Sequence, residues 1–148
     1  MCSIRKENFF TLIKEILFKF KKEILIVFGC GGDRDRKKRS VMGTVTASCL
    51  DPEKDSIYVT SDNPRTEDPL KIMDDILDGL QGFPRVHSIV DRKEAIFKAL
   101  SLMEKNGVLL IAGKGHEDYQ ILGKKRIYFD DREEAMKVLR RRLNLRKV

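Results

Sequence analysis

Two periods of hydrophobicity alternate along this chain, and that alternation restricts the available folds more than any other feature. Phe9, Leu12, Ile13, Ile16, Leu17 and Phe20 recur at helical spacing, and "EILIVFGCGG" then follows as an unbroken aliphatic run ending in glycines. Such a run reads as a strand buried on both faces and followed by a loop. The change of period repeats. Val41, Met42, Val45 and Cys49 mark a short helix, and "SIYVTSDNPR" (56–65) a second strand and loop. Leu70, Met73, Ile76, Leu77 and Leu80 give a helix stopped by Gly82 and Pro84, and "RVHSIVD" (85–91) a third strand. Ile96, Leu100 and Met103 share one helix face, "GVLLIAGKG" (107–115) is a fourth strand and loop, and "KRIYFDD" (125–131) a fifth strand. A last helix carries Ala135, Val138 and Leu139. Asp91-Arg-Lys-Glu94 and Asp131-Arg-Glu-Glu134 both read as capping boxes, each Asp accepting from the third helical N–H.

Helices alternating with aliphatic strands predict an α/β fold with a mostly parallel sheet covered on both faces. With no linker or composition break, residues 1–148 read as a single domain. In such sheets ligands sit outside the carboxyl ends of the strands, near a topological switch point. Three predicted loops leave strand carboxyl ends: "GCGGDRD", "SDNPR" and "AGKGHED". They should wall one crevice.

Composition narrows the classes of function. No apolar run approaches a membrane span, and "MCSIRKENFF" lacks the apolar region of a secretory signal, so no membrane is expected as a partner. Three cysteines without CxxC spacing favour reduced thiols and a cytoplasmic location, and no Cys/His cluster resembles a metal site. The net charge of +7 raises nucleic-acid binding. Its basic residues are scattered along amphipathic helices, however, with surface clusters only at "RDRKKR" (34–39) and "RRRLNLRK" (140–147), and the chain has no Trp and no aromatics interleaved with Lys or Arg for base stacking. An anionic small molecule and a solvated basic face suit the pattern better than nucleic acid.

The three loops carry the chemistry. "GCGGDRDRKKRS" is not a phosphate loop, because no glycine precedes Lys38-Arg39-Ser40, and Arg34 stands where a dinucleotide fingerprint needs its third glycine. The turn exposes Arg34, either above the sheet or paired with Asp33 or Asp35. In "SDNPRTEDP", Pro64 biases Asn63 toward extended geometry and projects Arg65 from a stiffened turn. An Arg fork so held suits a carboxylate or phosphate, although the same residues also make an ordinary loop ending at a helix N-cap. In "AGKGHEDYQ" the glycines permit close backbone approach, and Glu117 offers a negative charge opposite the arginines. His116 suits either a general base or a hydrogen-bonding loop residue. Two arginines with Asp62 and Glu117 match a zwitterion such as an amino acid charged at both ends.

The stretches "VFGCGGDRDRKKRSVMG", "VTSDNPRTEDP", "AGKGHEDYQ" and "DDREEA" together resemble the C-terminal domain of the Mur ligases, in its diaminopimelate-adding branch. The resemblance runs in the family's order over residues from about 9 to 140. It implies a Rossmann-like fold with five to six strands and helices on both faces, and a role in peptidoglycan synthesis. It also implies that Asn63 and Arg65 grip the far carboxylate of meso-diaminopimelate, that Arg34 contacts the incoming amino acid, and that Gly113 and Glu117 hold its far head group. Asp62 would support the site. No catalytic residue and no metal ligand is implied within this stretch.

Family catalysis uses ATP and magnesium to make an acyl phosphate that the amine attacks; the C-terminal domain presents the amine. The expectation for this chain alone is no bound cofactor and no ligase turnover, because UDP-binding and central ATPase domains are not in it and would be its partners. Lys37 also replaces a glycine usual in the family. A non-catalytic remnant, or a module binding an amino acid or partner, is the alternative.

Overall fold

The computed structural model describes residues 11, 13–15, 19 and 22–145. Most of the first predicted helix lies outside the described residues. Within it, residues 11, 13–15 and 19 are helical, and Ile13 is buried in the core. Four strands form one parallel sheet: β1 (Ile24–Phe28), β2 (Ser56–Val59), β3 (Val86–Ser88) and β4 (Val108–Ala112), in the order β3-β2-β1-β4. The chain builds outward from β1 to β3, then returns to place β4 on the other side of β1. The topological switch point therefore lies between β1 and β4.

β1 is central, and all five of its residues are buried. Its side chains alternate between two cores. Ile24, Ile26 and Phe28 pack with Ile57, Val59, Met73, Ile76 and Leu80 under helices α1 (Lys37–Cys49) and α2 (Pro69–Leu77). Leu25 and Val27 pack with Ala95, Ile96, Ala99, Leu100 and Val138 under α3 (Arg92–Leu102) and α4 (Asp131–Leu145). The uninterrupted aliphatic run is thus the signature of a strand covered on both faces. At the amino end of the sheet, the Asp55 carboxylate accepts from the Ile24 N–H at 2.8 Å and the Asp51 N–H at 2.8 Å. Buried Asp55 joins β1 to the start of β2.

The sheet has four strands, not five to six. Residues 125–128 form β6 (Lys125–Tyr128), which pairs antiparallel with β5 (Tyr119–Leu122) as a separate hairpin. "KRIYFDD" is strand-like in sequence, but its partner is the segment just before it. The two-residue turn at Gly123-Lys124, with Gly123 at φ +60°, returns the chain locally and excludes a parallel crossover. Tyr119 and Gln120, read as loop, are the first residues of β5.

The helix predicted around Val41–Cys49 begins earlier, at Lys37. Asp91 caps α3 as expected, accepting from the Glu94 N–H at 3.0 Å. The second cap is displaced by one residue: Asp130 accepts from the Arg132 N–H at 2.8 Å, while the Asp131 carboxylate is taken by Arg92. A buried guanidinium outcompetes a backbone N–H for that carboxylate.

One contact sets how closely α1 approaches the turn after α2. An added Cβ at Gly79 would lie 1.9 Å from the Ser40 carbonyl oxygen, and one at Gly43 2.4 Å from that of Ile76. Both obstacles are backbone and cannot rotate away. Gly79→Ala should therefore lower unfolding free energy by about 1–3 kcal/mol, the usual penalty of overpacking. Urea unfolding measures it, and an unchanged midpoint would refute this account of the packing.

Candidate functional site at the carboxyl edge of the sheet

The register aligns three strand ends, because Phe28 pairs with both Val59 and Ala112. Their loops leave side by side and touch through backbone. A Cβ at Gly29 would lie 2.2 Å from the Thr60 carbonyl oxygen, and one at Gly32 1.8 Å from that of Pro64. Gly113 has φ +114°, and its added Cβ would meet the Gly29 oxygen at 3.2 Å and Asp62 Oδ2 at 3.4 Å. Only glycine suits that combination of left-handed φ and close approach. The Gly32 N–H also donates to the Asn63 carbonyl at 2.8 Å.

These contacts bring the candidate residues together. Asn63, buried, donates from Nδ2 to Glu117 Oε2 at 2.8 Å and accepts at Oδ1 from the Ile121 N–H at 2.9 Å. Arg65 is half-buried, and its Nη1 donates to the carbonyls of Gly32 at 2.8 Å and Asn63 at 3.4 Å. No carboxylate among the described residues forms an ion pair with Arg65. Arg34 is exposed on the neighbouring turn, with Arg65 Nη1 and Arg34 Cγ at 2.9 and 3.7 Å from the position of a Cβ at Gly31. The Asp33 carboxylate accepts from Thr66 Oγ1 at 2.7 Å, and that of Asp35 from the Lys37 N–H at 3.1 Å. His116 is exposed at the tip of the third loop.

Asp62 faces the protein interior. Lys114 Nζ lies 3.4 Å from Asp62 Oδ1, a charge contact in which Oδ1 gains no hydrogen bond. Burial pushes the Asp62 carboxyl above the ordinary carboxylate range, opposed by the charges of Arg92 and Lys114. Burial likewise holds Lys114 below its usual value, opposed by Asp62. The Lys114 ammonium also donates to the Tyr119 carbonyl and lies 5.9 and 6.0 Å from the ring centres of Tyr119 and Phe129. Burial raises the Cys30 thiol to about 12, so it stays protonated.

Sequence reasoning passed over the buried cations. Arg39, read as part of a surface basic cluster, is 1% exposed and binds Glu67 at 2.8 Å and Asp75 at 2.9 Å. Glu67 accepts from the Asp33 N–H, so Arg39 braces the Arg34 turn against the Arg65 loop. The available signal was spacing: Arg39, Gly43 and Thr46 fall on one helical stripe, which is the buried one. Arg92 forks onto Asp131 through two 2.7 Å bonds and donates to the Ala112 carbonyl at 2.9 Å. It fastens the starts of α3 and α4 to the carboxyl end of β4. No helix among the described residues is long and apolar enough to cross a membrane.

A family model described as "Mur ligase, glutamate ligase domain" matches residues 8–115. The chain is 51% identical over 123 residues to the UDP-N-acetylmuramoyl-L-alanyl-D-glutamate–2,6-diaminopimelate ligase of Thermosynechococcus vestitus, covering 82% of this chain and 24% of that protein. It is 54% identical over 111 residues to the enzyme of the same name from Helicobacter hepaticus, covering 75% and 23% respectively. A solved structure of a ligase of that name superimposes with a TM-score of 0.82 at 37% identity, over 92% of this chain and 27% of that one. The chain thus spans about a quarter of the length of the curated relatives it matches.

The Asp62–Lys114 pair carries a pH signature. Asp62→Asn removes the anion and leaves Lys114 buried alone, which should cost about 3–5 kcal/mol near neutrality. The stability tied to a depressed lysine is present above its ordinary value and is lost as pH falls through the depressed one. The deficit of Asp62→Asn against the parent should therefore narrow between about pH 6 and about pH 9.5 in urea unfolding. An equal deficit at both values would show that the lysine is not responsible.

Proposed function

The chain belongs to the Mur ligase family, as its glutamate ligase domain, and from that membership we propose that it is the amino-acid-presenting domain of an ATP-dependent, diaminopimelate-adding ligase of peptidoglycan synthesis. In this reading Asn63 and Arg65 receive the far carboxylate of meso-diaminopimelate, and Arg34 contacts the incoming amino acid. Gly113 and Glu117 take the neighbouring amino group, and Asp62 stabilises the floor of the site.

One observation carries the proposal: a half-buried guanidinium at Arg65 lacks a carboxylate partner among the described residues, while Glu117 lies on the opposing loop, tied to Asn63 at 2.8 Å. A cation and an anion held apart on neighbouring loops suit a ligand head group bearing both charges. Lysine has no carboxylate at its far end and would leave Arg65 partly desolvated and unpaired, which a polar site rejects strongly.

Presentation of the amine is what this chain contributes; ATP and magnesium are proposed for the complete enzyme. Among the described residues no three His, Cys, Asp or Glu side chains gather to hold a metal ion. We assign the nucleotide and metal chemistry to the part of the relatives that this chain does not cover. We assign no proton acceptor for the attacking amine to the described residues.

Titration calorimetry with meso-diaminopimelate should give saturable binding. Arg65→Ala should weaken it about 10–100-fold, the loss of a hydrogen-bonded charge. L-Lysine should bind the parent chain as poorly as meso-diaminopimelate binds Arg65→Ala. Absence of binding to folded protein would remove the proposed function. The 148-residue chain alone should form no tripeptide, as followed by ATP-dependent product release.

A further inference from the structure

We propose that the β5–β6 hairpin is a positioning clamp for Arg65, with Gln120 and Gly123 as its positioning residues; this rests on the amino-acid-binding reading above. Arg65 has φ +53°, a left-handed conformation that non-glycine residues adopt sparingly and only where the surroundings enforce it. Both backbone hydrogen bonds of Arg65 come from one segment. The Arg65 N–H donates to the Ile121 carbonyl at 3.1 Å, and the Gly123 N–H donates to the Arg65 carbonyl at 2.8 Å. Leu122 is the bridge partner between them. Two residues earlier, the Ile121 N–H holds Asn63 Oδ1 at 2.9 Å, and buried Gln120 donates from Nε2 to the Asp62 carbonyl at 3.0 Å.

Residues 62–65 therefore run beside β5, held by one parallel backbone bridge at Arg65 and by side-chain bonds at residues 62 and 63. The direction of the Arg65 side chain follows from a backbone that the hairpin holds at both ends. A two-stranded hairpin is marginal by itself. Here it is fastened to the domain by Lys114, which donates to the Tyr119 carbonyl, and by Phe129, just past β6, which packs against the second core. The clamp and the charge pair beneath the site thus share Lys114. Neither the Gln120 side chain nor Gly123 is assigned a contact with the amino acid, so their effect on binding passes through Arg65.

Gly123 gives a clean perturbation, because nothing lies within 4 Å of a Cβ placed there and φ is +60°. Gly123→Val disturbs only the backbone preference of the turn, while Gly123→Asn tolerates it. Gln120→Met keeps the volume and removes the donor to Asp62. Two readouts are taken on the full chain: the Kd for meso-diaminopimelate by calorimetry, and amide exchange at Arg65, Ile121 and the β1 residue Ile26. Gly123→Val and Gln120→Met should raise Kd about tenfold, the cost of misplacing one hydrogen bond to a charge. They should speed exchange at Arg65 and Ile121 and leave Ile26 protected. Gly123→Asn should match the parent in both readouts.

Unchanged Kd in folded Gly123→Val and Gln120→Met, with or without faster exchange, would overturn the clamp. Loss of protection at Ile26 as well would overturn it too, since the hairpin would then belong to the global fold. If the parent itself binds no meso-diaminopimelate, the proposed function fails and exchange alone decides the clamp: faster exchange at Arg65 upholds it, and parental exchange refutes it.

Discussion

The site depends on three parallel strands ending at one level and on glycine where side chains would force their loops apart. Phe28, Val59 and Ala112 share a register, and Gly29, Thr60 and Gly113 follow them into backbone contact. Loops that crowd this closely cannot move independently. Each one's polar groups must find partners on its neighbours, as Gly32 does with Asn63 and Asn63 with Glu117. The carboxyl edge of the sheet is therefore built from main chain first, and the charged side chains are carried on it.

Beneath that surface the charges are arranged differently from those above it. Arg39, Arg92 and Lys114 are almost fully buried, and each has a carboxylate neighbour and at least one backbone carbonyl. Buried ion pairs give little net stability over apolar substitutes, yet removing one partner is strongly destabilising. Their effect here is on geometry: Arg39 braces the first two loops, Arg92 ties two helix starts to β4, and Lys114 joins the third loop to the hairpin. Arg65 and Arg34, by contrast, keep at least part of their surface open to solvent. Supporting cations are neutralised inside the protein, whereas Arg65 meets only backbone carbonyls. That difference separates the supporting cations from those the proposed function would use.

The hairpin is the one described element outside the two-sided sheet layout, and its contribution falls on the second loop. It explains how an arginine can stay in a left-handed conformation without a glycine's freedom. It also links residues 62–65 to a segment nearly sixty residues later in the chain. The relatives' name fits a site that must distinguish one diamino acid from another. Under the proposed function, a rigidly held guanidinium would make that distinction through the penalty for leaving it unpaired.

The two hydrophobic periods in the sequence were enough to establish the α/β class, a buried first strand and the three loops on one edge. Those features follow from the spacing of Ile, Leu and Val, which is a local property. The loop motifs likewise carried Asn63, Arg65, Gly113 and Glu117 as candidates, because turn chemistry and charge are visible residue by residue. The strand count was not legible: Tyr119–Leu122 and Lys125–Tyr128 have strand character, but pairing is a long-range choice, and a tight glycine turn made them a hairpin instead of sheet edges. Nor did the sequence tell buried from solvated cations. Arg39 sits inside a basic run indistinguishable from a surface patch, and Asp131 reads as a helix cap until Arg92, thirty-nine residues earlier, takes its carboxylate. Local composition determined which groups could act. Only the tertiary structure decided which charges would be spent on one another, because that depends on distances the linear chain does not contain.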